Sequence, residues 1–212
     1  ETSSSGKSQA GTAWSRVGTG QTVVFLHGVG MNKSVWAPEV NILSQSFDVL
    51  IYDMWGHGDS DLPEGELTLS DYVKQLTDLM AELKISQAHI VGHSIGALIA
   101  LTFACHNEKS CHSVAAITAV FDRPEEKSIT VKQRAADILA GGNARNDAET
   151  LDRWFGAPES NHYAEAADFA KQALAQVDSS GYARAYSVFA NASGVAADDL
   201  AGLQVPSLFL TA

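Results

Sequence analysis

Gly92-His93-Ser94-Ile95-Gly96 stands between two contrasting apolar runs. The lead-in, His89-Ile90-Val91, is short and reads as a buried strand. The lead-out, Ala97-Leu98-Ile99-Ala100-Leu101-Thr102-Phe103-Ala104, is long enough to predict a helix over Ile95–His106. A Gly-x-Ser-x-Gly pentapeptide in that setting predicts a sharp turn with the serine hydroxyl exposed at its tip. The flanking glycines leave room where a Cβ would meet neighbouring backbone. Ser94 is the candidate nucleophile.

Outward from this turn, short apolar runs alternate with longer periodic segments, the signature of a mostly parallel sheet flanked by helices. Strands are predicted at Thr22–Leu26, Val49–Tyr52, His89–Val91, Val114–Ala119 and Pro206–Thr211, with Thr12–Val17 as an earlier antiparallel strand. A further helix is predicted over Leu67–Leu83, with Thr68 or Ser70 as its N-cap. The pattern changes at Arg123. Four helical segments follow without a strand between them: Ile129–Ala140, Asp147–Phe155, Tyr163–Val177 and Tyr182–Ala192. This block reads as a lid, dividing the chain into a sheet domain at 12–122 and 193–212 and a helical cap at 123–192. Residues 1–11 are rich in Ser and Gly and are expected to form a flexible tail.

Composition excludes several functions. A net charge of −11 opposes binding to nucleic acid or an anionic membrane. No apolar run approaches the roughly 20 residues that cross a bilayer. Cys105 and Cys111 match no metal or redox spacing and suit a reducing cytoplasm.

An activated serine needs donors for the oxyanion, a base, and a group that orients the base. His27-Gly28-Val29-Gly30 directly follows a predicted strand and can aim a backbone N–H at the serine turn. The N–H groups of Val29 and Ile95 are the expected oxyanion hole. After the next strand, Asp53, His57 and Asp59 show no zinc or calcium spacing. They read as a glycine loop fixed by Asp53 accepting local N–H groups.

The His-Gly-x-Gly turn, the Asp53-to-Ser60 loop, Gly-His-Ser-Ile-Gly and the strand at 205–212 together resemble the α/β-hydrolase superfamily. Leu151-Asp152-Arg153-Trp154-Phe155 and Gly181-Tyr182-Ala183-Arg184-Ala185-Tyr186 look like the 3-oxoadipate enol-lactonase group within it. The resemblance implies an inserted cap and a serine hydrolase that cleaves a small ester or lactone without metal or organic cofactor. C–C bond hydrolysis, cofactor-free perhydrolysis and non-catalytic ligand binding stay open. Dehalogenase and epoxide hydrolase chemistry is disfavoured, since those relatives use Asp where this chain has Ser94. The resemblance also implies a catalytic Asp after the 206–211 strand, then a last strand, a last helix and a catalytic His. None has a counterpart in these 212 residues. Asp122 is the alternative acid, read rather as a loop or cap residue. No histidine is singled out as base, with His27 and His57 assigned to their turns and His162 to the cap.

Five of the six arginines (Arg123, Arg134, Arg145, Arg153, Arg184) lie in the helical block. One of them, Arg134 or Arg153, is expected to clamp a substrate carboxylate. His93, Trp36 and Trp154 are further candidate substrate contacts, and Phe155, Tyr186 and Phe189 candidate pocket walls.

Overall fold

A computed structural model describes residues 2–141, 147–156, 164–192 and 194–211. Its strands are β1 (Ser3–Lys7), β2 (Ala13–Gly18), β3 (Thr22–Leu26), β4 (Asp48–Tyr52), β5 (Ala88–His93), β6 (Cys111–Ile117) and β7 (Ser207–Leu210). They form one sheet in the order β1-β2-β4-β3-β5-β6-β7. β1 and β2 run antiparallel to their neighbours, and every pairing from β4 to β7 is parallel.

The central position of β3 and β5 follows from their composition. All five residues of β3 are buried, as a strand covered on both faces requires. Its alternate side chains feed two cores. Val24 and Leu26 join the larger one, with Leu50, Tyr52, Ile90 and most of the helices. Val23 and Phe25 join a smaller one, with Val49 and Trp36.

Helix α1 (Ala37–Leu43) carries Val40 and Leu43 onto this smaller core. On the other face, α2 (Leu69–Glu82) packs against α3 (Ile95–His106), which itself lies on β5 and β6. Thr68 caps α2 in a reciprocal box. Its Oγ1 accepts from Asp71 N–H at 3.3 Å while the Asp71 carboxylate accepts from Thr68 N–H at 2.8 Å. Between β6 and β7 come α4 (Glu125–Leu139), α5 (Asp147–Phe155), α6 (Ala164–Gln176), α7 (Ser179–Asn191) and the short α8 (Ala197–Gly202). α4 packs on α7 and α5 on α6.

One boundary is corrected. Ser3–Lys7 is an edge strand within the expected tail, because every residue from Ser3 to Lys7 registers with β2, as Ser3 does with Val17 and Gly6 with Trp14. Backbone pairing makes it, with Lys7 Nζ reaching Asp61 at 2.8 Å, while all five of its residues are exposed. Among the described residues no helix is long and apolar enough to cross a membrane.

Candidate active site

Strand order reverses around β3: the chain crosses from β3 to β4 on one side and from β4 to β5 on the other. The carboxyl ends of β3 and β5 therefore face a crevice, the usual ligand position in such sheets. Leu26 registers with Gly92, so the turns after both strands lie side by side.

Ser94 occupies the tip with φ 57° and ψ −120°, a left-handed conformation rare for a residue bearing a Cβ. Holding it there costs on the order of 1–3 kcal/mol, which the surroundings must impose. Its N–H donates to Ile117 O on β6 at 2.9 Å, and its carbonyl accepts from Ala97 N–H at 3.0 Å. Both flanking glycines are sterically required. A Cβ on Gly92 would overlap the Gly96 carbonyl, and one on Gly96 would stand 2.5 Å from Leu26 O and 2.7 Å from His27 O. The start of α3 thus lies directly against the end of β3. Gly28 shows the same closeness from the other side, with a Cβ there falling 3.4 Å from Ser94 Cβ and 3.1 Å from His93 Nδ1.

Ile95 N–H is the first of α3 and has no intrahelical acceptor. Val29, from the turn after β3, is buried in the same core. A fixed N–H at a helix start next to a strained serine can hold negative charge on an oxygen.

A model of the alpha/beta hydrolase fold matches residues 21–202. The chain belongs to that family. It is 32% identical over 195 residues to the (E)-2-((N-methylformamido)methylene)succinate hydrolase of Acinetobacter baylyi, spanning 92% of this chain and 72% of the relative. It is 29% identical over 188 residues to 3-oxoadipate enol-lactonase 1 of the same organism, covering 89% of this chain and 69% of that one. Among solved structures, the enol-lactonase from Burkholderia xenovorans LB400 superimposes with a TM-score of 0.83 at 26% identity, covering 94% of this chain and 77% of that chain.

Within this hydrolase the loop after β4 is saturated with internal partners. Buried Asp53 accepts from Lys33 N–H at 2.6 Å, Asp59 N–H at 3.0 Å and Lys33 Nζ at 2.7 Å. Lys33 Nζ also reaches the exposed Asp59 at 2.8 Å. Asp53 is thus a loop fastener, as expected. The lysine counter-charge was not legible, because it comes from the neighbouring turn.

His27 and His57 are fully enclosed. His27 Nε2 accepts from Met54 N–H at 3.0 Å and its Nδ1 lies 2.8 Å from Gly28 O. His57 Nε2 accepts from Gly30 N–H at 3.0 Å and its Nδ1 lies 3.3 Å from Trp55 O. Burial lowers both pKa values, that of His57 to about 3. Both rings are neutral at physiological pH and carry their proton on Nδ1, facing the carbonyls.

Of the other sequence candidates, His93 is exposed beside Ser94 and Gly28. Trp36 is corrected as a substrate contact. A short 3-10 turn at Lys33–Trp36 carries it into the smaller core against Phe25, ring centroids 4.8 Å apart. Asp122 is exposed on the loop after β6 with φ 47°. No described histidine hydrogen-bonds the Ser94 hydroxyl, and none is assigned as its base. His89 reaches Ser113 at the opening of its strand. Arg145 and His162 lie outside the described residues.

In the helical block, Arg134 and Arg153 converge on the buried Thr150 hydroxyl, each at 3.4 Å. Neither forms an ion pair with a carboxylate among the described residues, and Arg134 Nε is enclosed without a partner. The Arg134 guanidinium lies 5.9 Å from the Tyr186 ring centroid, and Tyr186 stacks on Tyr182 at 6.0 Å. Tyr182 in turn touches Gly30, where a Cβ would lie 3.0 Å from its Cε2. Arg123 instead caps α7, donating to Ala190 O at 2.9 Å and Phe189 O at 3.2 Å. Phe155 and Phe189 pack on the main core, while Trp154 remains 44% exposed.

Proposed function

We propose that this hydrolase cleaves a small, carboxylate-bearing ester or lactone through an acyl-enzyme on Ser94. The observation that carries the reading is the forced left-handed conformation of Ser94 at the start of α3, where the Val29 and Ile95 N–H groups are assigned as the oxyanion hole. Ser94 Oγ attacks the carbonyl carbon, and the two N–H groups hold the resulting oxyanion. The carbonyl re-forms as the C–O bond to the leaving oxygen breaks, and that oxygen takes the proton that the Ser94 hydroxyl gave up on attack. Water then attacks the acyl-serine, releasing the acid and restoring the hydroxyl.

The helices α4–α7 serve as the cap over this crevice, resting on the oxyanion turn through Tyr182 and Leu174. Arg134, with Arg153 beside it, supplies positive charge that meets no carboxylate among the described residues. Relatives named for succinate and oxoadipate derivatives agree with a carboxylate-bearing substrate. The free thiols of Cys105 and Cys111 suit a reducing cytoplasm.

The test is intact mass after exposure to a fluorophosphonate probe, with Ser94→Ala alongside. One adduct on the wild type and none on the variant is expected, together with a loss of ester turnover of about 10⁴-fold or more. A wild type that binds such esters saturably but takes no adduct would make the protein a ligand-binding member of the fold.

A further inference from the structure

We infer that His57, although remote in sequence from Ser94, is a positioning residue that sets the oxyanion hole; this rests on the serine hydrolase reading. The peptide groups around Val29 carry the argument. Val29 N–H shares one planar trans peptide with Gly28 C=O, so the two point in opposite directions. Gly28 O faces His27 Nδ1 at 2.8 Å and accepts from Met31 N–H at 3.2 Å. With that carbonyl fixed toward the interior, the Val29 N–H is turned the other way. The next peptide joins Val29 C=O to Gly30 N–H, and its N–H donates to His57 Nε2 at 3.0 Å. Both planes flanking Val29 are therefore set by imidazoles.

His57 belongs to the loop after β4 and its partner to the turn after β3. His27 makes the reverse connection, accepting from Met54 N–H at 3.0 Å. The rings lie 5.3 Å apart. This reciprocal clasp needs an unprotonated Nε2 on each ring, and a dry interior supplies that condition. Gly30 itself has φ 81°, with Leu174 and Tyr182 packed over its Cα, so the helical block closes the remaining side. Gly30 lies inside the turn that Met31 N–H closes onto Gly28 O. Were the Gly30 N–H to lose its acceptor, the Val29–Gly30 peptide would be free to shift, that turn would loosen, and the Gly28–Val29 peptide would no longer hold its donor in place. A donor out of place lowers the transition state's stabilisation without weakening ground-state binding to the same degree.

Two variants separate aim from packing. His57→Leu keeps apolar volume and removes the acceptor. His57→Gln places an amide oxygen near the position of Nε2 and keeps it. Each is compared with wild type for phosphonylation rate, for kcat and KM on an aryl ester, and for Tm. His57→Leu is expected to lose about tenfold to a hundredfold in phosphonylation rate and kcat with KM little changed. His57→Gln should recover most of that loss. Equal rates for His57→Leu and wild type would overturn the role, as would equal losses in both variants. A wild type that takes no adduct would overturn the hydrolase reading and this role with it.

Discussion

The turns that carry Ser94 and the helices that stand over them are held by opposite means. In the turns, buried Asp53, His27 and His57 each meet a backbone partner from a different loop: Lys33, Met54 and Gly30. In the helical block, two guanidiniums share one hydroxyl, and the Nε atoms of Arg134 and Arg184 are enclosed without partners. Attachment there is steric. Gly181 of α7 lies so close to Gly56 that a Cβ on Gly56 would fall 2.6 Å from Gly181 Cα. Arg184 adds bonds to the carbonyls of Pro63 and Gly65. The turns are specified by saturated polar geometry, which tolerates no change. The block is specified by shape at one end, and Arg134 and Arg153 have no carboxylate partner among the described residues.

Alanine at one glycine in each region breaks that comparison most severely. Gly92→Ala drives a Cβ into the Gly96 carbonyl, backbone against backbone at the centre of the sheet. Neither partner can yield without moving β5 or α3. A loss above about 4 kcal/mol, or failure to fold, is expected. Gly181→Ala meets the Gly56 carbonyl, but α7 can lift at that end. A loss of about 1–3 kcal/mol, with faster proteolysis inside 123–192, is the expected result. Matching Tm values for the two variants would show that the block is as rigidly built as the sheet.

Acid sharpens the contrast. An unfolded chain protonates each imidazole near pH 6.5, whereas enclosed His57 does so only at about 3. Between those values the unfolded state binds the extra proton, so stability present above pH 6.5 falls as pH drops toward 3. The loss reaches at most about 1.4 kcal/mol per pH unit for each ring. Burial is also the main cause at His27, with Asp53 opposing it and Lys33 and His93 adding to it. The described part of the helical block contains no histidine. Acid softening should therefore begin at the turns. Tm measured from pH 7 to pH 4.5 should fall more steeply for wild type than for His57→Gln, and parallel curves would contradict the assignment.

What could be read from the sequence follows the same division. The serine turn was legible because its steric needs are local: a glycine on each side, a strand before and a helix after. The Thr68 cap and Asp53's fastening role were legible for the same reason. The β1 strand was not, since Ser3-Ser4-Ser5-Gly6-Lys7 has no apolar alternation and pairs only because β2 offers an edge. Helix α1 escaped notice because seven residues with Pro38 near the start carry too short a period. Trp36 was misplaced for want of the 3-10 turn that swings it to the other face. The partnership of His57 with Gly30 spans two loops, and no spacing rule encodes it.

The smallest expected effect concerns the block's cations. Arg134, proposed above to meet a substrate carboxylate, combines a half-buried guanidinium, a ring beneath it and a neighbouring Arg153, with no carboxylate partner among the described residues. Through Tyr186 and Tyr182 it is connected by ring contacts to Gly30 at the oxyanion turn. Arg134→Met keeps much of the stem's packing and removes the charge. For a carboxylate-bearing ester, KM should rise about tenfold, equivalent to roughly 1.4 kcal/mol, while kcat holds. A neutral ester of the same size should show no change. Arg153→Met, from an exposed position, should show the same pattern more weakly. Equal KM shifts for charged and neutral esters would mean that Arg134 only shapes the pocket. A fall in kcat with either substrate would mean instead that the block helps to set the turns beneath it, and the two regions would no longer be separable.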